Sequence, residues 1–412
     1  MRKLCLTAIT LSLIVLSISI DFERRPTMTM EEKIFQYLDD HEHDMIQFWK
    51  DLVMHESGSF DKVDCDKTRD FLVDHYKALG GQVRTTDYKE AGDMIIADFN
   101  QEALSAPIVF SGHYDTVFTH GVTRERPFTI KEGKAYGPGV VDMKGGVAMA
   151  FFLTKALLAS DYKAHPIRLV FVGDEEVGHQ YSTGVDDFRA AVRGAAAAFN
   201  FETGYEDNGI VTGRKGGANA YIDIKGLGSH AGIAPEKGRS AVLEMAHKII
   251  EIQALTDYDR GITYNVGIVS GGTATNAVPA EAHMKVDIRV KSLNQLEEVR
   301  DKLQAIVDHA HVEGTSARME FKVVMPPMET TEGVVHMFKL LEESATELGM
   351  GPIYQKYVGG GADSSYEADE GVPTLCSVGV AGYGNHTVDE YAVVATMKER
   401  TKLIAKTLLK LN

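Results

Sequence analysis

Histidines and carboxylates stand at or just past the ends of apolar runs at five places in this chain. They are His113 and Asp115 in SGHYDTVF, Asp142 in GPGVVDMKGG, and Asp174, Glu175 and Glu176 in VGDEEVGH. Glu202 in FNFETG and His386 in GYGNHTVDE complete the set. His113 and Asp115 lie two apart after the apolar run 107–110, and residues i and i+2 of an extended strand point to one side. An imidazole and a carboxylate can therefore share one small volume there. Glu175 and Glu176 are consecutive, so both reach one site only where the chain has left the strand for an irregular turn.

Taken singly, each place has an ordinary explanation. A lone histidine after a strand is usually just hydrogen-bonded, and an aspartate ahead of a helix, like Asp142, is usually an N-cap. Glu175 and Glu176 read equally as a solvated strand end, and Glu202 as a loop acid. The combination is harder to dismiss, because carboxylates gathered at one sheet edge repel and are costly when buried unpaired. A divalent cation offsets that cost. Two histidines and three carboxylates are a natural ligand set for a pair of zinc ions, one aspartate bridging them with its two oxygens. Such a pair makes a nucleophilic water available near neutral pH. Cys5, Cys65 and Cys376 are too few and too dispersed for a disulfide framework or a thiolate metal site.

These side chains need a scaffold, and the pattern supplies one. With 412 residues, 44% of them hydrophobic and 25% charged, the chain reads as an ordinary soluble globular protein with room for two or three domains. A net charge of −16 argues against nucleic acid or anionic lipid as a partner. Residues 1–24 pair a basic start (Arg2, Lys3) with an apolar run over 4–20, and Ser17 and Ser19 offer a cleavage site. This is the pattern of a secretory signal, implying a secreted or periplasmic protein, with an uncleaved membrane anchor as the alternative.

Amphipathic patterns predict helices over 30–54 and 67–79, the second stopped by Gly80-Gly81. Strand-like runs follow at 82–88, 94–100 and 106–110, then a buried helix over 145–160 and strands at PIRLVFVGDEE and AAAAFNFETG. Alternating strands and helices imply an α/β domain with a mainly parallel mixed sheet, split into 25–212 and 328–412. Between them, 213–327 reads β-α-β-β-α-β, the ferredoxin-like order, and Pro326-Pro327 closes it. In open α/β sheets ligands bind at the carboxyl ends of the strands, where four of the five motifs fall.

Together, the five motifs, the inserted unit and GGGADSSY near the end resemble the zinc-dependent exopeptidases of the glutamate carboxypeptidase and aminoacylase family. The similarity runs in order through nearly everything after residue 24 and is strongest to the bacterial glutamate carboxypeptidases. It implies two zinc ions per subunit, with His113 and Glu202 on one, Glu176 and His386 on the other, and Asp142 bridging. It implies a cis peptide bond from Asp142 to Met143. Catalytic roles fall to Glu175 as general base, Asp115 as the carboxylate orienting His113, and His230 in GLGSHAG as an oxyanion group reaching over from a partner subunit. Asn276 and Arg289 would grip the substrate's terminal carboxylate, and Gly361 would bring a backbone amide to it. The residue-based alternative for Arg289 is a strand ion pair with Asp287. The inserted unit would serve as lid and dimerisation surface of a homodimer.

The implied reaction is release of a C-terminal amino acid from a small peptide or N-acyl amino acid. Relatives specific for glutamate carry cations where this chain reads EDNGIV and VVMPP, and Arg214 and Lys215 are near but shifted, so glutamate preference is not implied. An N-acyl-amino-acid deacylase or a di- or tripeptidase of the same family is the nearest rival. A metal-holding module without turnover is the non-enzyme rival, and Glu175 argues against it. A two-metal phosphoesterase is disfavoured by the lack of a basic cluster. His120, His165, His179 and the histidines of 41–43 read as surface or loop residues without a role.

Overall fold

The computed structural model describes residues 28–411, so the signal-like segment expected at 1–24 lies outside the described residues. Among the described residues no helix is long and apolar enough to cross a membrane. Two main sheets are formed by strands β1 (Gln82–Thr85), β2 (Gly92–Phe99), β3 (Ile108–His113), β4 (Ile167–Gly173), β5 (Ala197–Asn200), β6 (Gly209–Arg214), β7 (Gly216–Lys225), β8 (Thr263–Gly271), β9 (Glu281–Val290), β10 (Ser316–Met325), β11 (Tyr354–Val358) and β12 (Thr374–Cys376).

The larger sheet has eight strands in the order β1-β2-β4-β3-β5-β12-β6-β11. Its centre is parallel: β3 lies between β4 and β5, and β12 runs beside β5 in the same sense. β1 and β2 are antiparallel additions at one edge. The central strands are buried on both faces, which is why they read as runs of branched and aromatic residues rather than alternating ones. His113 pairs with Val172 and Ser111 with Asn200, so β3, β4 and β5 end close to one another. The three carboxyl ends make the shelf on which the motifs stand.

One helix sits beneath that shelf. Gly145–Ala159 is apolar almost all round and packs between β3 and β4 on one side and the Met30–Asp40, Glu42–Met54 and Val394–Leu408 helices on the other. Phe152 and Leu153 are buried on it, each contributing about 1.5–3 kcal/mol by leaving water. At its second residue, Gly146, a Cβ would lie 1.9 Å from the Phe201 carbonyl oxygen, so only glycine lets the helix approach the end of β5. Trp49, the chain's one tryptophan, donates its Nε1–H to the Val140 carbonyl at 3.0 Å.

The helix expected over 30–54 is two helices. Met30–Asp40 starts on a capping box between Thr29 and Glu32 and stops at His41, whose ring bonds the Tyr37 carbonyl at 2.8 Å. The next helix spans Lys62–Ala78, five residues longer at its start than its apolar spacing predicts, because Asp61 caps the polar first turn. β3 also runs on through His113, past the apolar stretch that announces it.

β6 and β7 are separated by a single residue, Lys215, where the chain leaves the larger sheet. β7, β8, β9 and β10 form a four-stranded antiparallel sheet in the order β8-β9-β7-β10, interleaved with helices Ala241–Ala254 and Leu293–Asp308. The element sequence is β-α-β-β-α-β. Alternate residues of β9 are buried, with Met284, Val286 and Ile288 joining Leu303 in a core separate from that of the larger sheet. The chain returns through Pro326-Pro327, and Met328 exchanges backbone hydrogen bonds with Arg214 at 3.0 and 3.1 Å.

Candidate metal centre

Each motif reaches the shelf from a different element. His113 ends β3, and Glu202 lies two residues past β5. Asp142 sits in the wide turn Val140–Lys144, and its peptide bond to Met143 is cis. Glu175 and Glu176 open a single 3-10 turn directly after β4 and Asp174, the irregularity their adjacency requires. His386 follows the short strand Gly382–Tyr383.

These five ligand candidates converge as two clusters that share Asp142. Asp142 Oδ1 lies 3.3 Å from His113 Nε2, and Glu202 Oε1 lies 3.5 Å from the same nitrogen. Asp142 Oδ2 lies 3.2 Å from His386 Nε2, which is 2.9 Å from Glu176 Oε2. One carboxylate thus offers one oxygen to each side. The paired arrangement suits two cations with a bridging aspartate.

Electrostatics agree with a cation-binding role. Burial pushes Glu202 up to about 7 and raises Glu176, and it raises Glu175 well above the ordinary carboxylate range. Burial opposes a charged His113, but the carboxylates of Glu202, Asp115 and Asp142 outweigh it and hold the ring's pKa well above normal. Hydrogen bonds that His386 donates to the Asp142 and Glu176 carboxylates lift its pKa to about 10. His113 Nδ1 bonds the Asp115 carbonyl at 3.1 Å, so that nitrogen carries hydrogen. In a neutral ring, the Nε2 lone pair then faces two carboxylate oxygens, which is repulsive unless a cation lies between them. The donor set therefore fits metal.

Glu175 belongs to neither cluster, yet it lines the same cleft of about 670 Å³. Asp115 does more than orient His113, and its ring contact differs from the expected one. The main-chain carbonyl makes the closer bond, while the carboxylate stands 3.4 Å from Nδ1. That carboxylate accepts the backbone N–H groups of Glu175 and Glu176, both at 3.2 Å, and the Ser59 hydroxyl at 2.6 Å. It fixes the turn that bears both glutamates.

Gly361 lines the cleft as expected, but His230, Asn276 and Arg289 do not line it in the single chain. His230 and Asn276 lie side by side at the short pairing of Ser229–His230 with Ala277–Val278, the Asn276 carbonyl accepting the Ala231 N–H at 2.9 Å. The His230 ring is exposed and accepts the Gly232 and Ile233 N–H groups at 3.2 Å. Arg289 is bound bidentately by Asp287, at 3.0 and 2.9 Å, the ordinary pairing that its spacing allows. His179, read as a loop residue, is instead buried between two carboxylates, Asp174 and Asp363.

Further residues of the site leave little signal in the sequence. Glu390 is buried and accepts the backbone N–H groups of Gly139, Val141 and Asp142 at 2.9, 2.8 and 3.1 Å. Asn385 donates to Asp142 Oδ2 at 2.9 Å and to the Thr203 hydroxyl at 2.8 Å. Their nearness to His386 was the only cue. Arg214 lines the cleft with its guanidinium buried, donating to the Gly360 and Gly361 carbonyls at 3.1 and 3.2 Å, while its Nε has no partner.

The profile of Peptidase family M20/M25/M40 matches residues 109–410. Carboxypeptidase G2 of Pseudomonas sp. is 28% identical over 393 residues, covering 92% of each chain. A succinyl-diaminopimelate desuccinylase of Dechloromonas aromatica is 27% identical over 258 residues, covering 58% of this chain and 67% of that one. Among solved structures, the aminopeptidase PepT of Bacillus cereus superposes with a TM-score of 0.75 at 22% identity, over 90% of this chain and 98% of that one.

Proposed function

The chain belongs to Peptidase family M20/M25/M40, a family of metal-dependent hydrolases, and from that premise we propose that it is a two-zinc carboxypeptidase. Its substrate in this reading is a small peptide or N-acyl amino acid, from which it releases the C-terminal amino acid. The observation that carries the reading is Asp142 shared between two histidine–carboxylate clusters, with Glu175 left free beside them.

His113, Glu202, Glu176, His386 and the shared Asp142 would hold the ions. When bound, the pair supplies Lewis acidity and lowers the pKa of water. Glu175, kept basic by its buried setting, takes a proton from the attacking water as its oxygen adds to the amide carbonyl carbon. It then delivers that proton to the amide nitrogen as the C–N bond breaks, so one water is consumed and Glu175 is restored. Asp115 holds the turn in place throughout. Arg214, a buried cation that lines the cleft, is the group of this chain suited to a substrate carboxylate.

The unit 213–327 acts as lid and dimerisation surface in this reading. β8 is one of the two outer strands of its sheet and carries Ile268 and Val269, 58% and 50% exposed. Pairing of two such edges would make a homodimer, and the second copy would supply His230. A deacylase or dipeptidase activity would use the same centre with a different acyl group.

The test is activity of the zinc-loaded protein on a panel of N-acetyl amino acids, dipeptides and aroyl-glutamates. Hydrolysis that requires a free C-terminal carboxylate and two zinc ions per chain is expected. Binding of a metal pair without hydrolysis of any amide would sink the proposal.

A further inference from the structure

The turn that carries Glu175 and the loop that carries Gly361 are joined by one imidazole. Asp174, immediately before Glu175, is buried, and its Oδ1 lies 2.8 Å from His179 Nδ1. The other ring nitrogen, Nε2, lies 2.8 Å from Oδ1 of Asp363, two residues past Gly361. The ring is 1% exposed. Gly178 and His179 both adopt left-handed backbone angles, φ 63° and 55°, and that reversal turns the ring inward. A non-glycine residue is held there only where its surroundings demand it.

We propose that His179 is a positioning residue: its doubly protonated ring tethers the general-base turn to the substrate loop and so fixes Glu175 against the bound amide. The inference rests on the functional reading above for the role of Glu175. Carboxylates only accept hydrogen bonds, so a ring bridging two of them needs hydrogen on both nitrogens. Burial disfavours the charged ring, but Asp363 and Asp174 outweigh it and push its pKa up to about 11. The edge of the Tyr366 ring closes the remaining side, with centroids 6.1 Å apart. Asp174 has a second partner in the Ser182 hydroxyl. Asp363 has no such alternative, since its Oδ2 is buried without any hydrogen bond. Without His179, Asp363 is left as an unpaired buried carboxylate, and its loop must shift to reach water. A displacement of about 1 Å between base and substrate is enough to slow a reaction a hundredfold.

The test compares His179→Gln and Asp363→Asn with wild type in the full, zinc-loaded chain. A glutamine side chain can donate to one carboxylate at a time, so the tether breaks. Asparagine at 363 can donate to a neutral His179 ring, so the tether survives with its hydrogen reversed. For His179→Gln, kcat falls at least tenfold, KM stays within threefold and zinc content is unchanged. For Asp363→Asn, kcat stays within threefold. Hydrogen exchange in His179→Gln rises together in 175–181 and 359–366, which a purely local packing role would not produce. Wild-type kcat per zinc-loaded molecule in His179→Gln, exchange confined to one segment, or equal damage in both variants would each overturn the proposal. A wild-type protein that hydrolyses no amide would sink the functional reading alone, and the exchange result would still decide whether the tether exists.

Discussion

Glu390 Oε1 accepts the backbone N–H of Asp142 at 3.1 Å, and the same oxygen accepts that of Val141 at 2.8 Å. A buried carboxylate from the His386 loop thus holds the main chain of the bridging ligand candidate. Groups that orient metal ligands in this way typically carry ten- to hundredfold in metal affinity. Glu390→Gln replaces one acceptor oxygen with an NH₂ that faces N–H donors. The expected outcome is zinc affinity weakened about 10- to 100-fold, read by competition with a chromogenic chelator. An unchanged affinity would mean that the cis turn holds itself.

Glu175 contributes no ligand atom to either cluster, so metal binding and proton transfer can be separated by one substitution. Glu175→Gln keeps size and removes basicity. Zinc content should stay at the wild-type level by elemental analysis. A positioned base contributes about 10² to 10⁴ in rate, so kcat should fall by at least that lower figure. Retained turnover would show that another group takes the proton.

These two residues mark the limit of what the sequence discloses. His113, Glu176 and Glu202 were legible because each ends or just follows a central parallel strand, and the fold itself brings those ends together. Asp142, expected at such an end too, lies instead in the turn Val140–Lys144 that leads into the buried helix. The adjacency of Glu175 and Glu176 even required the turn that is found. Glu390 was illegible because it acts 248 residues away, on backbone atoms that leave no trace in the pattern. Arg214 looked shifted when positions were counted along the chain, yet the end of β6 brings it to the cleft wall. His179 looked like a loop residue because its partner Asp363 lies 184 residues on. Arg289 is the converse case, with its spacing to Asp287 allowing the local ion pair that the single chain makes.

Arg214 offers a check on substrate class. Its guanidinium holds the Gly360 and Gly361 carbonyls and still has one buried donor free. Arg214→Lys keeps the charge but loses the planar fork. Loss of a charge-assisted hydrogen bond costs about 1.5–3 kcal/mol, equivalent to at least tenfold in KM for substrates with a free carboxylate. Amide-capped analogues should be indifferent to the change. Equal effects on both classes, measured by steady-state kinetics, would assign Arg214 to the Gly-rich loop alone.

Glu367 provides a pH prediction independent of metal. It is fully buried on the Ser364–Asp369 helix, where burial outweighs the Ser111 and Thr374 hydroxyls beside its carboxyl. Burial pushes its pKa up to about 8, against roughly 4.3 in an unfolded chain. Below the unfolded value both states hold the proton, and Glu367 does not change stability with pH. Between the two values only the folded state holds it, so unfolding releases a proton and stability falls by about 1.4 kcal/mol per pH unit. Above the folded value both states are ionised and the loss levels off. Glu367→Gln keeps the shape and cannot ionise. Its stability relative to wild type should therefore rise by about 2 kcal/mol between pH 6 and pH 8, read by urea unfolding of the metal-free protein. A difference that stays flat over that range would mean that the carboxyl is already ionised at pH 6, held by partners beyond the burial described.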